Sequence, residues 1–300
     1  MSEPSTRVVA EKGSGSDTEC EACSWTKAKQ ERCSYSSHVK LFYGASNRGA
    51  WAIGSAVILK ERPDLYPRNE VKNTEFVRQH TTIPVPKVLR EWVDDSSRYF
   101  VLTERISGET LQDAWSALSG SQKENIATQV ADCIHQLRRF QSPVMKSVDD
   151  GPLYSGWLFL NGSETPHGPI KSDKEMGESL ISSLHIPETA SSRFMRRLPT
   201  CTPYTLTHGD LNIQNIVVKD GELAGILDWE YAGYFPAWWE YVATKIGLSA
   251  EDAEWKALLG KRLDPFDQAV EFWLDFYSLS LYPNLDERGQ TLLNVLVQDD

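Results

Sequence analysis

Between Leu206 and Val218 the sequence LTHGDLNIQNIVV sets four polar side chains, His208, Asp210, Asn212 and Asn215, between two apolar runs. An aspartate followed five positions later by an asparagine is the D-x-x-x-x-N spacing of a phosphoryl-transfer loop. In such a loop the carboxylate takes or orients a hydroxyl proton, and the amide oxygen holds a metal ion on the far side of the moving group. Asp228 comes thirteen residues after Asn215, beyond a second short apolar run. A carboxylate there can chelate a divalent ion that bridges nucleotide phosphates. Singly, each residue has an ordinary alternative: Asp228 a helix cap, Asn215 a turn residue, His208 a hydrogen-bonded structural group. In this order, in a strand–loop–hairpin context, they form a specific set.

The first half of the chain offers complementary parts. Lys60 ends the apolar run SAVILK, where a lysine can reach nucleotide phosphates. Glu70 and Glu75 lie in the next helix-forming segment, and either could hold Lys60 by an ion pair or lie on a solvated face. GASNRG, from Gly44 to Gly49, joins two strand-like runs; Ser46 and Asn47 are its candidate phosphate contacts, against the alternative of a plain turn. The segment from Thr103 to Ile106 is extended, and its backbone at Glu104 and Ile106 can pair with an adenine edge or simply link two lobes.

These groups need a scaffold, and the pattern of the chain predicts one. Val39–Tyr43, Ala50–Ile53 and Ala56–Lys60 read as a strand meander with glycine-bearing turns. RNEVKNTEFVRQH has helical composition and stops before Pro84 and Pro86. Lys87–Val93 and Tyr99–Thr103 read as two further strands around the turn Asp94–Ser97. Ser121 and Glu124 form a capping-box pattern ahead of the stripe Ile126, Val130, Ile134, Leu137. Residues 141–170 read as a long loop, KSDKEMGESLISSLH as a helix, and Asp220-Gly221 as the turn of a hairpin. The aromatic-rich remainder reads as helices, with its Trp and Tyr side chains mostly core. The expected division is a polar tail over 1–37, a mainly β lobe with its hinge over 38–106, and a helical lobe over 107–300.

Composition narrows the function. The formal net charge of −11 excludes a generally basic nucleic-acid or anionic-membrane surface. No stretch approaches the ~20 apolar residues of a membrane span. Five sparsely placed cysteines fit a reduced, cytoplasmic protein better than a disulfide framework. Cys20, Cys23, Cys33 and His38 lack the spacing of a second zinc-ligand pair, so incidental thiols are the expectation. Residues 220–280 carry 12 acidic against 4 basic side chains, which reads as a solvated face or as a cation-attracting half.

LTHGDLNIQNI followed by ILDWEYAGYFPAWWE, with HTTIPVPKV and LTERISGETLQDAW upstream, resembles the aminoglycoside phosphotransferase/choline kinase-like family, its fungal members in particular. The resemblance covers roughly residues 38–280. It implies an α+β, bilobal, protein-kinase-like fold and ATP with Mg2+ as cofactors. It also implies phosphoryl transfer to the hydroxyl of a small molecule, cationic ones included. Carried over by position, it makes Asp210 the catalytic base, Asn215 and Asp228 the metal ligands, and Lys60 with Glu70 the phosphate-positioning pair. The sequence departs from protein kinases in having DWE for D-F-G, HGD for H-R-D and no A-P-E, which makes protein phosphorylation the weaker reading. A catalytically silent nucleotide-binding regulator is the alternative from another class. The identity of the acceptor and the oligomeric state are not encoded legibly.

Overall fold

A computed structural model describes residues 39–45, 47–65 and 68–298; Ser46 and the cysteine-bearing segment with Cys20, Cys23, Cys33 and His38 lie outside the described residues. The elements begin with three strands, β1 (Val39–Ala45), β2 (Arg48–Ile53) and β3 (Val57–Pro63), then helix α1 (Asn69–His80) and strands β4 (Val88–Val93) and β5 (Arg98–Glu104). The five strands form one antiparallel sheet in the order β1-β2-β3-β5-β4. β5 shows why: its residues alternate between buried and partly exposed, so Tyr99, Val101 and Thr103 share one face, which packs on Val71 of α1 and lines the cleft below. The expected meander, helix and strand pair are all present.

The chain then crosses through β6 (Glu109–Thr110) and the short α2 (Leu111–Ala114) into a mostly helical part. Its first long helix is α3 (Gly120–Leu137), and Ile126, Val130, Ile134 and Leu137 are all buried along one face as their spacing requires. The cap lies two residues earlier than the sequence reading placed it. Ser119 accepts from the Gln122 amide and Gln122 reaches back to Ser119, while Glu124 pairs outward with Arg262. Both S-x-x-E and S-x-x-Q satisfy the capping pattern, and the helix takes the one that starts it a half-turn sooner.

Residues 141–170 are not one loop. They contain β7 (Gln141–Ser142), β8 (Leu153–Tyr154), the one-turn helix α4 (Gly156–Phe159) and β9 (Pro166–His167). Helices α5 (Asp173–Ile181) and α6 (Glu188–Met195) follow, then strand β10 (Tyr204–Thr207) and the hairpin β11 (Ile216–Lys219) and β12 (Glu222–Ile226). After β13 (Gly233–Pro236) come α7 (Trp239–Ala243), α8 (Ala250–Gly260), α9 (Asp267–Ser280) and α10 (Glu287–Gln298). The hairpin also pairs with β6, Val217 opposite Thr110, which ties the crossover to the loop that precedes β11.

Two apolar cores hold this part. One gathers α3, the hairpin and Trp229 and Trp255; the other gathers α5, α6, α9 and α10 around Phe159, Phe194, Trp239 and Phe276. Trp115, Trp229, Trp238, Trp239, Trp255 and Trp273 are buried, so most of the ten tryptophans are core, as expected. At about 25 cal/mol per Å² of apolar surface, each such ring contributes several kcal/mol to folding. Among the described residues no helix is long and apolar enough to cross a membrane.

Candidate active site

The loop from Thr207 to Asn215 is built to expose a few polar atoms on a rigid frame. His208 is fully buried, and burial pushes its imidazole pKa down to about 4, so the ring is neutral near pH 7. Its Nε2 donates to the Leu227 carbonyl at 2.8 Å, which leaves Nδ1 to accept from the Asp210 amide at 3.2 Å. Its ring also packs edge-on against Trp229. One neutral histidine therefore stitches the loop to the strand end that carries Asp228. Gly209 has φ +84°, and a Cβ there would stand 3.2 Å from the Tyr231 carbonyl oxygen, so the tight turn before Asp210 needs glycine.

Behind the loop stand two buried carboxylates. Glu240 of α7 accepts from the His208 amide at 2.9 Å and the Gly209 amide at 3.4 Å; burial pushes its pKa up to about 7. Asp252 of α8 accepts from the Ile213 amide at 2.8 Å and the Leu248 amide at 2.9 Å, and pairs with buried Lys256. Trp255 donates its indole N–H to the Leu211 carbonyl. These backbone bonds fix the loop from behind, so Asp210 is held without using its own side chain.

That side chain is held from the front. The Asn212 amide donates to one Asp210 oxygen at 3.0 Å and the Asn215 amide to the other at 3.1 Å, with a further bond from Asn215 to the Asp210 carbonyl at 2.8 Å. Burial pushes the Asp210 pKa up, to about 6, with the nearby Asp228 charge adding to the rise and both asparagines opposing it. A carboxylate in that range is anionic near neutral pH yet basic enough to take a proton. Because Asn215 turns its amide nitrogen to Asp210, its amide oxygen is the end turned away from that residue.

Asp228 follows β12 in the left-handed region at φ 62°, an uncommon conformation for a non-glycine residue that marks sites under constraint. Burial would raise its pKa, but Lys60 overrides this and holds the carboxyl below the ordinary range. Lys60 lies on β3 and bonds both Glu70 of α1 and Asp228, the latter at 3.2 Å. Its pKa is raised: burial works against the charge, and Asp228 and Glu70 outweigh it. Glu75 instead pairs with Arg78 on the same helix, which settles the choice of lysine partner on Glu70.

Lys60, Glu70, Glu104, Ile106 and Asp228 all line one cleft of about 500 Å³ between the sheet and the helical part. Ala50 and Ile58 from the sheet and Val217 and Leu227 from the hairpin give this cleft apolar walls suited to a flat base. Glu104 donates its amide to the Lys87 carbonyl at 2.8 Å, so that N–H is committed to the fold, and its side chain pairs with Lys87. Ile106 seats its side chain where a Cβ on Gly225 would stand 2.2 Å away, so Gly225 gives the crossover room to approach the hairpin. Asn47 is not brought to the cleft: it is exposed, and its carbonyl accepts from Arg98. It sits in the turn between β1 and β2, where Arg98 of β5 holds its backbone carbonyl at 2.7 Å.

Sequence reasoning missed three contributors. Arg48, at the start of β2, bonds both carboxylate oxygens of Glu230 at 2.9 and 3.2 Å and so ties the β1–β2 turn to the segment after Asp228. Asn73 of α1 donates from its buried amide to the carbonyls of Trp229 and Ala232 at 2.7 and 2.9 Å. Asp252 looked like part of a solvated acidic stretch and is fully buried. Arg48 and Asn73 carry no local signal, because their partners lie far along the chain, and the i,i+4 pair of Asp252 with Lys256 reads equally as a solvated helix pair.

The chemistry of the donor set fits a magnesium ion. Asn215 and Asp228 offer hard amide and carboxylate oxygens, and the Lys60 charge keeps Asp228 deprotonated. The arrangement as a whole can seat a nucleotide in the cleft, neutralise its phosphates, and present a base at Asp210.

The model of the phosphotransferase enzyme family, APH, matches residues 43–271. Compared with curated protein sequences, the chain matches none. Among solved structures it is similar to the ADP-bound aminoglycoside phosphotransferase APH(2'')-Ib, with 14% identity over 90% of this chain and 94% of that one and a TM-score of 0.56. It is also similar to the gentamicin complex of APH(2'')-IIa, with 16% identity over 91% and 94% and a TM-score of 0.55. For aminoglycoside phosphotransferase APH(4)-Ia the values are 15%, 90%, 94% and 0.54. At these identities the likeness is one of fold.

Proposed function

Because the chain belongs to the phosphotransferase enzyme family, we propose that it transfers the γ-phosphate of Mg2+-bound ATP to a hydroxyl of a small molecule. The observation that carries this reading is the convergence of Lys60, Glu70 and Asp228 on one cleft, with the hydrogen-bonded Asp210–Asn215 pair close enough for Asp210 to feel the Asp228 charge. Structures of similar fold hold ADP or GDP, which supports a nucleotide in this cleft.

The sheet and the helical part would together hold the nucleotide, with the base between Ala50, Ile58, Val217 and Leu227 and the backbone at Glu104 and Ile106 along its edge. Asn215 and Asp228 would hold the magnesium ion, which when bound neutralises phosphate oxygens. Lys60, steadied by Glu70, would exchange its bond to Asp228 for one to the phosphates. The Asp210 carboxylate would receive the acceptor's proton as the acceptor oxygen forms its bond to the γ-phosphorus. The bond from that phosphorus to the bridging oxygen breaks, and ADP departs with the electron pair. Most of the acceleration in such a site comes from positioning and charge neutralisation, with little covalent work for the protein.

The test is Asp210→Ala. Transfer of labelled phosphate from ATP should fall at least a thousandfold while the Kd for Mg–ATP stays within a few-fold of wild type. Full turnover in the variant would remove Asp210 from the mechanism. A wild-type protein that binds nucleotide without turnover on any hydroxyl compound would favour the silent regulator instead.

A further inference from the structure

Beside Asp210, and apart from the nucleotide cleft, lies a second cavity of about 330 Å³. Ser155, Trp157, Ser163, Gly209, Asp210 and Tyr231 line it. Its position at the base makes it the seat of the acceptor, and in this respect its role rests on the phosphotransferase reading.

Its walls are aromatic and hydroxylic. Trp157 is 43% exposed, among the largest apolar side chains left open to solvent on this protein. The backbone beneath it is fixed: Ser155 caps the one-turn helix α4 through the Leu158 amide at 3.2 Å, and Trp273 donates its indole N–H to the Trp157 carbonyl at 3.1 Å. An indole face held open on an anchored segment at the mouth of a catalytic cavity is a stacking surface in wait of a partner. Tyr231 is bonded to Ser163, and burial pushes its pKa up to about 12, so it presents a neutral phenol.

The charge is as telling. Among the described residues lining this cavity Asp210 is the only ionisable carboxylate. Carboxylates behind and beside it are engaged: Asp228 with Lys60, Glu240 with the His208 and Gly209 amides, and Glu230 with the Arg48 guanidinium, which also lies close enough to Tyr231 to feel its charge. An acceptor with several ammonium groups would have to strip water from each with no carboxylate besides Asp210 among the described lining residues to meet it. A cavity of this size stands at the small end of ligand pockets, on the order of 300 to 1,000 Å³.

We propose that the acceptor is a small uncharged ring compound bearing a hydroxyl, which lies against Trp157 and Tyr231 and points that hydroxyl at Asp210. Its other polar groups meet the hydroxyls of Ser155 and Ser163. Polyamino sugars are poor acceptors. In the transfer step the ring hydroxyl oxygen gains the phosphoryl group, its proton passes to Asp210, and ADP leaves with the electron pair of the broken bond.

The experiment supplies magnesium, ATP labelled at the γ-phosphate and three acceptor classes to the full-length protein: neutral ring alcohols (4-hydroxybenzyl alcohol, phenols, myo-inositol), aminoglycosides (kanamycin, gentamicin), and the quaternary amino alcohol choline. Neutral ring alcohols should be labelled with kcat/KM at least tenfold above either cationic class. Trp157→Ala should raise KM for the best neutral acceptor about tenfold with the Kd for Mg–ATP unchanged, and Trp157→Phe should recover most of the loss. Preference for a cationic class, or no labelling of any neutral ring alcohol, overturns the proposal if Mg–ATP still binds. So does an acceptor KM that ignores the Trp157→Ala change. If the wild-type protein does not bind Mg–ATP at all, the phosphotransferase reading itself falls and this proposal falls with it.

Discussion

Replacing Asn212 by alanine should move the acid limb of the pH–rate profile upward by about one unit. In its proposed role as base Asp210 works only when ionised, so kcat/KM should fall as pH drops through its pKa of about 6. Burial and the Asp228 charge raise that pKa, and the Asn212 amide, 3.0 Å from the carboxylate, restrains the rise. A hydrogen bond to a charged group is worth about 1.5–3 kcal/mol at most, and the partial exposure of Asp210 discounts it to the lower end. At 1.36 kcal/mol per unit this is a shift of about one unit, to about pH 7. At pH 6 the ionised fraction would drop from about one half to about one tenth, a roughly fivefold loss in kcat/KM that disappears near pH 8.5. The assay is kcat/KM for phosphate transfer from pH 5 to 9, with the thermal midpoint as a control because Asn212 also accepts from the Gln214 amide. A limb that stays at its wild-type value, or moves to lower pH, refutes the assignment of that limb to Asp210.

Two further outcomes are expected from contacts across the cleft. Arg48→Ala should raise KM for ATP about fivefold and speed proteolytic cleavage of the β1–β2 turn. The double variant with Glu230→Gln should show a coupling energy of about 1 kcal/mol, and strictly additive effects would mean that the Arg48–Glu230 bond does not hold the turn. Asn73→Ala leaves the Trp229 and Ala232 carbonyls without their buried donor and should destabilise the fold by about 2–3 kcal/mol, read as a lower denaturant midpoint; a loss under about 0.5 kcal/mol would count against it.

The groups proposed to react were legible in the sequence because phosphoryl chemistry constrains spacing within single segments. Asp210 and Asn215 share one loop, Asp228 ends the adjoining hairpin, and Lys60 ends a strand, so local pattern sufficed to place them. The same holds for α3, whose apolar stripe is periodic and whose cap is off by two residues only because two serines compete for it. What holds these groups in place left no such trace. Arg48 reaches Glu230 across 182 positions and Asn73 reaches Trp229 across 156, and no spacing rule spans such distances. Glu240 and Asp252 bond backbone amides, which every residue has, so nothing in the opposite partner's identity could reveal them. The 220–280 segment divides in the same way: Asp228, read as a ligand from its spacing, lines the cleft, while Glu240 and Asp252, whose acidity reads as solvation, lie buried under the Thr207–Asn215 loop. Acceptor choice falls between these cases. Trp157 stands in a segment that reads as loop, and only the fold shows its ring open beside Asp210 in a cavity with no second carboxylate among the described residues that line it. The loop chemistry can therefore be common to a family while the acceptor is set by a few side chains, which is why the charge of the preferred acceptor tests this fold more sharply than turnover alone.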